Sequence, residues 1–460
     1  MRTKSLPLVR KTLAMLLLMF IGFYGCKNKA NNEQKIADYQ KVEHPEWSKN
    51  ASIYEVNIRQ YTPEGTFNGF AEHLPRLKEM GVDILWLMPI HPIGEKNRKG
   101  SMGSYYSVKD YLGINPEFGT EEDFKNLVNQ IHDLGMYVII DWVANHTAWD
   151  NQLIDDHPEW YTKNEEGEII APVDDWTDVA DLNYEIPEVR EYMTDALIYW
   201  VKNFNIDGYR CDVAGMVPTD FWNKVRYELD KIKPVFMLAE ANDPELHEYA
   251  FDMTYAWDLH FIWNEIAQGK KSMEDLANQL EKEKTKYNPD DYRMMFTSNH
   301  DENSWKGTVY ERLGEATETF TVLSATLPGM PLIYSGQEAC MNKQLRFFEK
   351  DTINWDKNCS MNELYKTLLT QKKDNKALWN GEYGGTMDRI KTTADENIFA
   401  FSRRKENHQL ISILNLSDKE VEFELLNEFE NDQLFELFTD EQITTQYKMQ
   451  PWGYKVFSNR

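Results

Sequence analysis

Residues 208–212 read Gly-Tyr-Arg-Cys-Asp, an arginine and an aspartate one residue apart at the end of a short apolar run. Side chains i and i+2 of a strand share a face, so Arg210 and Asp212 point one way and Cys211 the other. Two opposite charges heading into a core read either as a structural salt bridge or as working groups, with the arginine holding the aspartate ionised near neutral pH. The rest of the chain decides between these readings.

Similar β-rich runs recur along the chain: Ser52 to Ile58, Val82 to Leu87, Tyr137 to Asp141, Val235 to Glu240, a weak one near Met253, Met294 to Thr297, and Leu332 to Tyr334. Helical periodicity lies between them. Thr120 is set to N-cap a helix with apolar Phe124, Leu127, Val128 and Ile131, ending at Gly135. Pro187 opens another, with Val189, Met193, Ala196, Leu197, Trp200 and Val201 on one face. Eight strands with intervening helices predict an α/β fold, a (β/α)8 TIM barrel over 46–376, rather than an open doubly wound sheet. No glycine-rich phosphate loop follows the first strand. From 377 to 460 the pattern becomes two-residue alternation, as at Val421, Phe423 and Leu425 against Glu420, Glu422 and Glu424, which predicts a C-terminal antiparallel β-sandwich. Between strand 3 and the helix at Pro187 lies an insertion at 147–186 of about 40 residues, where such loops usually run to about 2 to 6. An insertion there is expected to shape a site.

The composition excludes several partners. Fifty basic against 76 acidic residues give a net charge of −26, which repels nucleic acid and acidic membranes. Aromatic residues make up 13% of the chain, 14 of them Trp, and their flat faces suit sugar rings as well as core packing. Arg2, Lys4, Arg10 and Lys11 precede an uncharged stretch from Thr12 to Gly25, too short to span a bilayer comfortably, so residues 1–26 read as a secretory signal. The run ends at Cys26 in the manner of a lipoprotein box, and 27–45 is a polar tether, so the expected place is an exported, membrane-anchored one. An unlipidated signal peptide is the alternative. Cys211, Cys340 and Cys359 remain, an odd number whose spacing suggests neither a disulfide framework nor a metal cluster.

Other strands also finish in polar groups: Asp141, Asn145 and His146 after the third, Glu240 after the fifth, and Asn299, His300 and Asp301 after the seventh. A barrel gathers these ends at one mouth, and so many buried charges are costly to assemble without use. DWVANH, GYRCD, the glutamate of LAEAND and TSNHD resemble, in order, the four signature regions of the α-amylase family, glycoside hydrolase family 13. GVDILWLMPIHPIG, YYSVKDY, VADLN and GMPLIYSGQE are similar to that family's secondary motifs.

The resemblance implies a retaining hydrolase of α-1,4-glucosidic bonds in starch-like α-glucans or maltooligosaccharides, with two carboxyl groups about 5 to 5.5 Å apart. By the match, Asp212 is the nucleophile, Glu240 the acid/base and Asp301 the third carboxylate. His146, His300 and Asn299 are implied substrate contacts, Arg210 a support for Asp212, and Tyr106 a platform beneath the sugar. Asn145, Asp181 and the Met216 carbonyl match a structural calcium site, with Met216 where the family often has histidine. No organic cofactor is implied. Gly215 replaces a polar residue common in α-amylases, so contacts beyond the cleavage point differ. A neopullulanase or cyclomaltodextrinase, an α-glucosidase or a transglycosylase shares the same centre. A non-catalytic glucan-binding protein is the alternative of another class, against which stands the retention of all three carboxylates.

Overall fold

The computed structural model describes residues 39–355, 358–426 and 433–459. The signal, the candidate lipidation site Cys26 and most of the tether fall at 1–38, outside the described residues. The eight runs expected from the sequence all form strands: β1 (Ile53–Val56), β2 (Ile84–Leu87), β3 (Tyr137–Trp142), β4 (Gly208–Cys211), β5 (Phe236–Ala239), β6 (Met253–Tyr255), β7 (Tyr292–Met295) and β8 (Met330–Tyr334). All neighbours pair in parallel, and β8 closes on β1, giving one barrel. Gly208 is required at the foot of β4. Its φ is +147°, and a Cβ there would stand 1.9 Å from the Phe236 carbonyl oxygen on β5.

The helices form where the sequence predicts. Glu121–Asp133 (α1) carries a capping box in which Thr120 accepts from the Asp123 backbone N–H and the Asp123 carboxylate accepts from that of Thr120. Gly135, at φ +66°, ends it in the left-handed conformation that terminates helices cheaply. Pro187–Phe204 (α2) buries Val189, Met193, Leu197, Trp200 and Val201, the apolar stripe read from its periodicity. Inside the barrel a separate apolar cluster, including Ile53, Ile84, Ile139, Phe236, Leu238, Met294 and Leu332, fills the lower layers. Polar side chains are thereby pushed up to the C-terminal ends of the strands, where the site lies. The insertion folds back on the mouth through a two-stranded ladder of His146–Ala148 against Val179–Asp181.

Beyond the barrel, β9 (Thr386–Ile390), β10 (Ile398–Lys405), β11 (His408–Asn415), β12 (Val421–Glu424), β13 (Leu434–Glu436), β14 (Gln446–Met449) and β15 (Tyr454–Asn459) are antiparallel. The order β9-β10-β11-β15-β13 makes one sheet and β12-β14 a second ladder. Val421, Phe423 and Met449 of the ladder share a core with Ile398, Ile411 and Phe457 of the sheet, as the alternating pattern requires. Arg403 of β10 fastens this unit to the barrel, donating to the carbonyls of Thr326, Leu327, Trp379 and Gly385 at 3.0 to 3.2 Å. Burial without a carboxylate partner pulls its pKa down to about 9.

One expectation is overturned. Cys340 and Cys359 form a disulfide, although their separation of 19 residues signals nothing by itself. The chain after β8 loops out and returns, bringing their Cα atoms to 5.6 Å, so the pairing is a product of the fold. Cys211 is free and buried on the helix side of β4, as strand alternation requires.

Candidate active site

Arg210 is fully buried at the top of the barrel and organises the mouth. Its Nη1 donates to Asp141 Oδ1 at 2.8 Å and to Asp212 Oδ1 at 3.1 Å, and its Nε to the Tyr255 hydroxyl at 3.1 Å. Nη2 stands 3.0 Å from Glu240 Oε2, an ion-pair contact without the alignment of a hydrogen bond. The Val213 backbone N–H donates to that same oxygen at 2.8 Å. Burial works against the charge on Arg210, but Asp141 and Glu240 outweigh it and hold the proton firmly. The guanidinium also lies 5.0 Å from the centre of the Trp86 ring.

Asp212 does not behave as its arginine neighbour alone would dictate. Burial raises its pKa well above the usual carboxylate range. Arg210 opposes this, while Glu240, Asp141 and Asp301 add to it. Several carboxylates share this one guanidinium, so their mutual repulsion adds to the effect of burial on Asp212. Asp141 is likewise raised by burial against the pull of Arg210. Its Oδ2 accepts from Trp86 Nε1 and from the Tyr106 hydroxyl, each at 3.0 Å.

The two histidines differ in charge, one neutral and one positive. Burial lowers the pKa of His146 to about 4, leaving it neutral, and its Nδ1 lies 3.3 Å from Asn145 Nδ2. For His300 burial also disfavours charge, but Asp301 and Glu55 overcome it and push the pKa up to about 9. His300 Nδ1 bonds Glu55 Oε1, while Nε2 lies 2.9 Å from the Tyr106 hydroxyl and 3.4 Å from Asp301 Oδ2. Tyr106 stacks near-parallel to the His300 ring with centroids 5.4 Å apart.

Tyr106, His146, Asp212, Glu240, His300 and Asp301 thus line one cleft of about 640 Å³. Asn299 does not join them. It is fully buried, and its Oδ1 accepts from the Glu302 backbone N–H at 2.8 Å, so it holds the turn that presents His300 and Asp301. The Asn145 carbonyl accepts from the Leu182 N–H at 3.1 Å, and Asp181 pairs in register with His146, which brings the third strand's end and the insertion together. Met216 lies in a short 3-10 turn after β4 and is half exposed.

Sequence reasoning missed several members of the site. Glu55, Trp86 and Tyr255 take interior positions on β1, β2 and β6, and Glu55 carries the signal that singled out Arg210, a charge on a strand's inner face. Trp176 from the insertion, Trp305 from the helical turn Glu302–Lys306, and Phe347 and Phe348 from a loop also line the cleft. Loop aromatics carry no periodicity that would have marked them.

A sequence profile of the alpha-amylase catalytic domain matches residues 28–168 and 158–388. The chain belongs to the α-amylase family. Among family members, the α-amylase MalA of Haloarcula japonica is 24% identical over 400 residues, covering 84% of this chain. The chain spans 58% of that relative's length. The crystal structure of the maltogenic α-amylase AmyB of Thermotoga neapolitana is 32% identical, with a TM-score of 0.79 over 89% of this chain and 96% of that one. The α-amylase of Lactobacillus plantarum is 32% identical, with a TM-score of 0.80 over 89% of this chain and 99% of that one.

The folded pKa of His300, about 9, lies above the unfolded value of about 6.5, so its ion pairs stabilise fully below pH 6.5. That contribution is lost as pH rises through the folded value. The gap in Tm between the parent and His300→Gln is therefore expected to be widest near pH 6 and to narrow toward about pH 10. A gap that does not change with pH would show that His300 is not held charged.

Proposed function

We propose that the chain hydrolyses α-1,4-glucosidic bonds of starch-like glucans and maltooligosaccharides with retention of configuration. The observation that carries this is the shared contact of Arg210 with Asp212 at 3.1 Å and Glu240 at 3.0 Å, which keeps two carboxyl groups together on one cleft floor. Asp212 attacks the anomeric carbon while Glu240 gives its proton to the departing glucosidic oxygen. Water then attacks the glucosyl ester as Glu240 takes its proton back. Asp301, partly exposed beside charged His300, accepts hydroxyl hydrogens of the sugar and opposes the positive charge that develops on its ring. Neutral His146 meets a sugar hydroxyl through its ring, and the Tyr106 ring provides an apolar face.

A maltogenic or cyclomaltodextrin-cleaving specificity is the second reading, favoured by one observation. Lys99 Nζ binds the Asp175 carbonyl at 2.7 Å and the Asp178 carboxylate at 3.1 Å, all three residues lining the cleft. This ties the insertion across to the loop after β2 and favours short products. Chromatography of early products from starch, pullulan and a cyclodextrin separates the two. Mixed maltooligosaccharides from starch alone are expected for the first reading, and attack on pullulan or cyclodextrin supports the second. In either case Glu240→Gln is expected to lower kcat by roughly a thousandfold, and undiminished activity would refute the assignment.

The oxygen set of Asn145, Asp181 and the Met216 carbonyl suits a calcium ion as a structural tie between barrel and insertion. The Asp181 carboxyl is raised by burial, opposed by the Thr162 side chain, and a cation beside it would favour its charged form. On this proposal EDTA lowers Tm by several degrees, calcium restores it, and Asp181→Asn abolishes the response. A Tm indifferent to both reagents refutes it.

We also propose export with a lipid anchor at Cys26. The Cys340–Cys359 disulfide supports an oxidising destination, since such bonds rarely persist in reducing cytosol. Cys26→Ser is expected to move the protein from the membrane to the soluble fraction, and continued membrane retention would count against the anchor.

A further inference from the structure

A second hollow shares no residue with the cleft. It measures about 460 Å³ and lies at the seam of the barrel and the C-terminal sheet, lined by Tyr310, Glu315, Glu318, Trp452 and Tyr454 together with Gly314 and Thr317. Tyr310 stands on the short helix Val309–Leu313, Glu318 opens the helix Thr317–Thr326, and Trp452 and Tyr454 come from the turn into β15.

Trp452 is held there against its backbone preference. Its φ is +52°, a left-handed conformation that a bulky side chain rarely adopts. Both of its backbone groups are pinned: the N–H donates to the Ser417 carbonyl at 3.0 Å, and the carbonyl accepts from the Thr319 hydroxyl. The half-exposed indole is backed by Phe320, with centroids 6.4 Å apart. Tyr454 is backed edge-on by Phe438 at 5.7 Å, and its hydroxyl donates to Glu318 Oε2 at 3.1 Å, fixing a carboxylate beside the ring.

The chemistry of the lining selects the occupant. Two carboxylates and no cation line the hollow, which disfavours anions. Aromatic faces take the C–H surfaces of a pyranose, and carboxylate oxygens accept its hydroxyls strongly. We propose that this seam hollow is a second binding site for an α-glucan chain, which keeps a polymer on the enzyme while its cleft turns over. The ligand class rests on the hydrolase reading above.

Calorimetric titration of maltoheptaose into the Asp212→Asn chain, which cannot form the glucosyl ester, tests it. Two binding events per chain are expected, and adding Trp452→Ala is expected to leave one. In the otherwise unaltered chain, Trp452→Ala should spare kcat/KM on a short chromogenic maltooligosaccharide while lowering the rate on soluble starch. Should Trp452→Ala disturb folding, Glu315→Ala alters an exposed side chain and is expected to weaken the second event roughly fivefold at unchanged Tm. A single event in Asp212→Asn, or two that survive Trp452→Ala, overturns the second site and leaves the cleft intact. No binding at all overturns the glucan reading itself.

Discussion

A guanidinium with no solvent contact can stay charged only if its surroundings replace water, and Arg210 has no solvent contact. The replacements come from neighbouring parts of the barrel: Asp141 on β3, Asp212 just after β4, Glu240 just after β5 and the Tyr255 hydroxyl on β6. Each partner is needed because a buried charge left short of one costs several kcal/mol. The same requirement fixes where the Asp212 and Glu240 carboxyl groups stand relative to each other. Stability of the mouth and the placement of these two groups are therefore one constraint, and Gly208 at the foot of β4 lets that strand approach β5 closely enough to meet it.

Around this cation the acidic groups outnumber the basic ones, and the imbalance has chemical consequences. Repulsion among the carboxylates adds to burial in raising Asp212 above the usual carboxylate range. His300 supplies a second positive charge because Glu55 and Asp301 face it, whereas His146, with no carboxylate partner of its own, stays neutral. Two Asn-His pairs that look alike as sequence thus become a cation and a neutral ring. Tyr106 links the halves, since its hydroxyl meets both Asp141 and His300. A change at either end is transmitted to the ring on which the sugar is expected to rest.

Outside the strand ends, loops decide what the cleft admits. Lys99 fastens the insertion on one side, while Phe347 and Phe348 stand within the loop closed by the Cys340–Cys359 disulfide. Phe347 lies near-parallel to Tyr106 at 6.1 Å, continuing the aromatic surface of the floor into the wall. The C-terminal sheet, held to the barrel by Arg403, adds the seam hollow with its constrained Trp452.

The sequence by itself determined the eight strands, the capped helices between them and the alternating C-terminal strands, because each is a local signal, whereas the three carboxylates were marked by resemblance to the family's motifs. Periodicity, capping residues and a charge on a strand's inner face are all written in consecutive residues. Only the tertiary structure decided the disulfide, the role of Asn299 as a buried support, the aromatic walls, the different charge states of the two histidines and the raised pKa of Asp212. These depend on which distant groups meet in a place that water has left, and electrostatics there is the sum over all of them rather than the effect of the nearest neighbour in sequence.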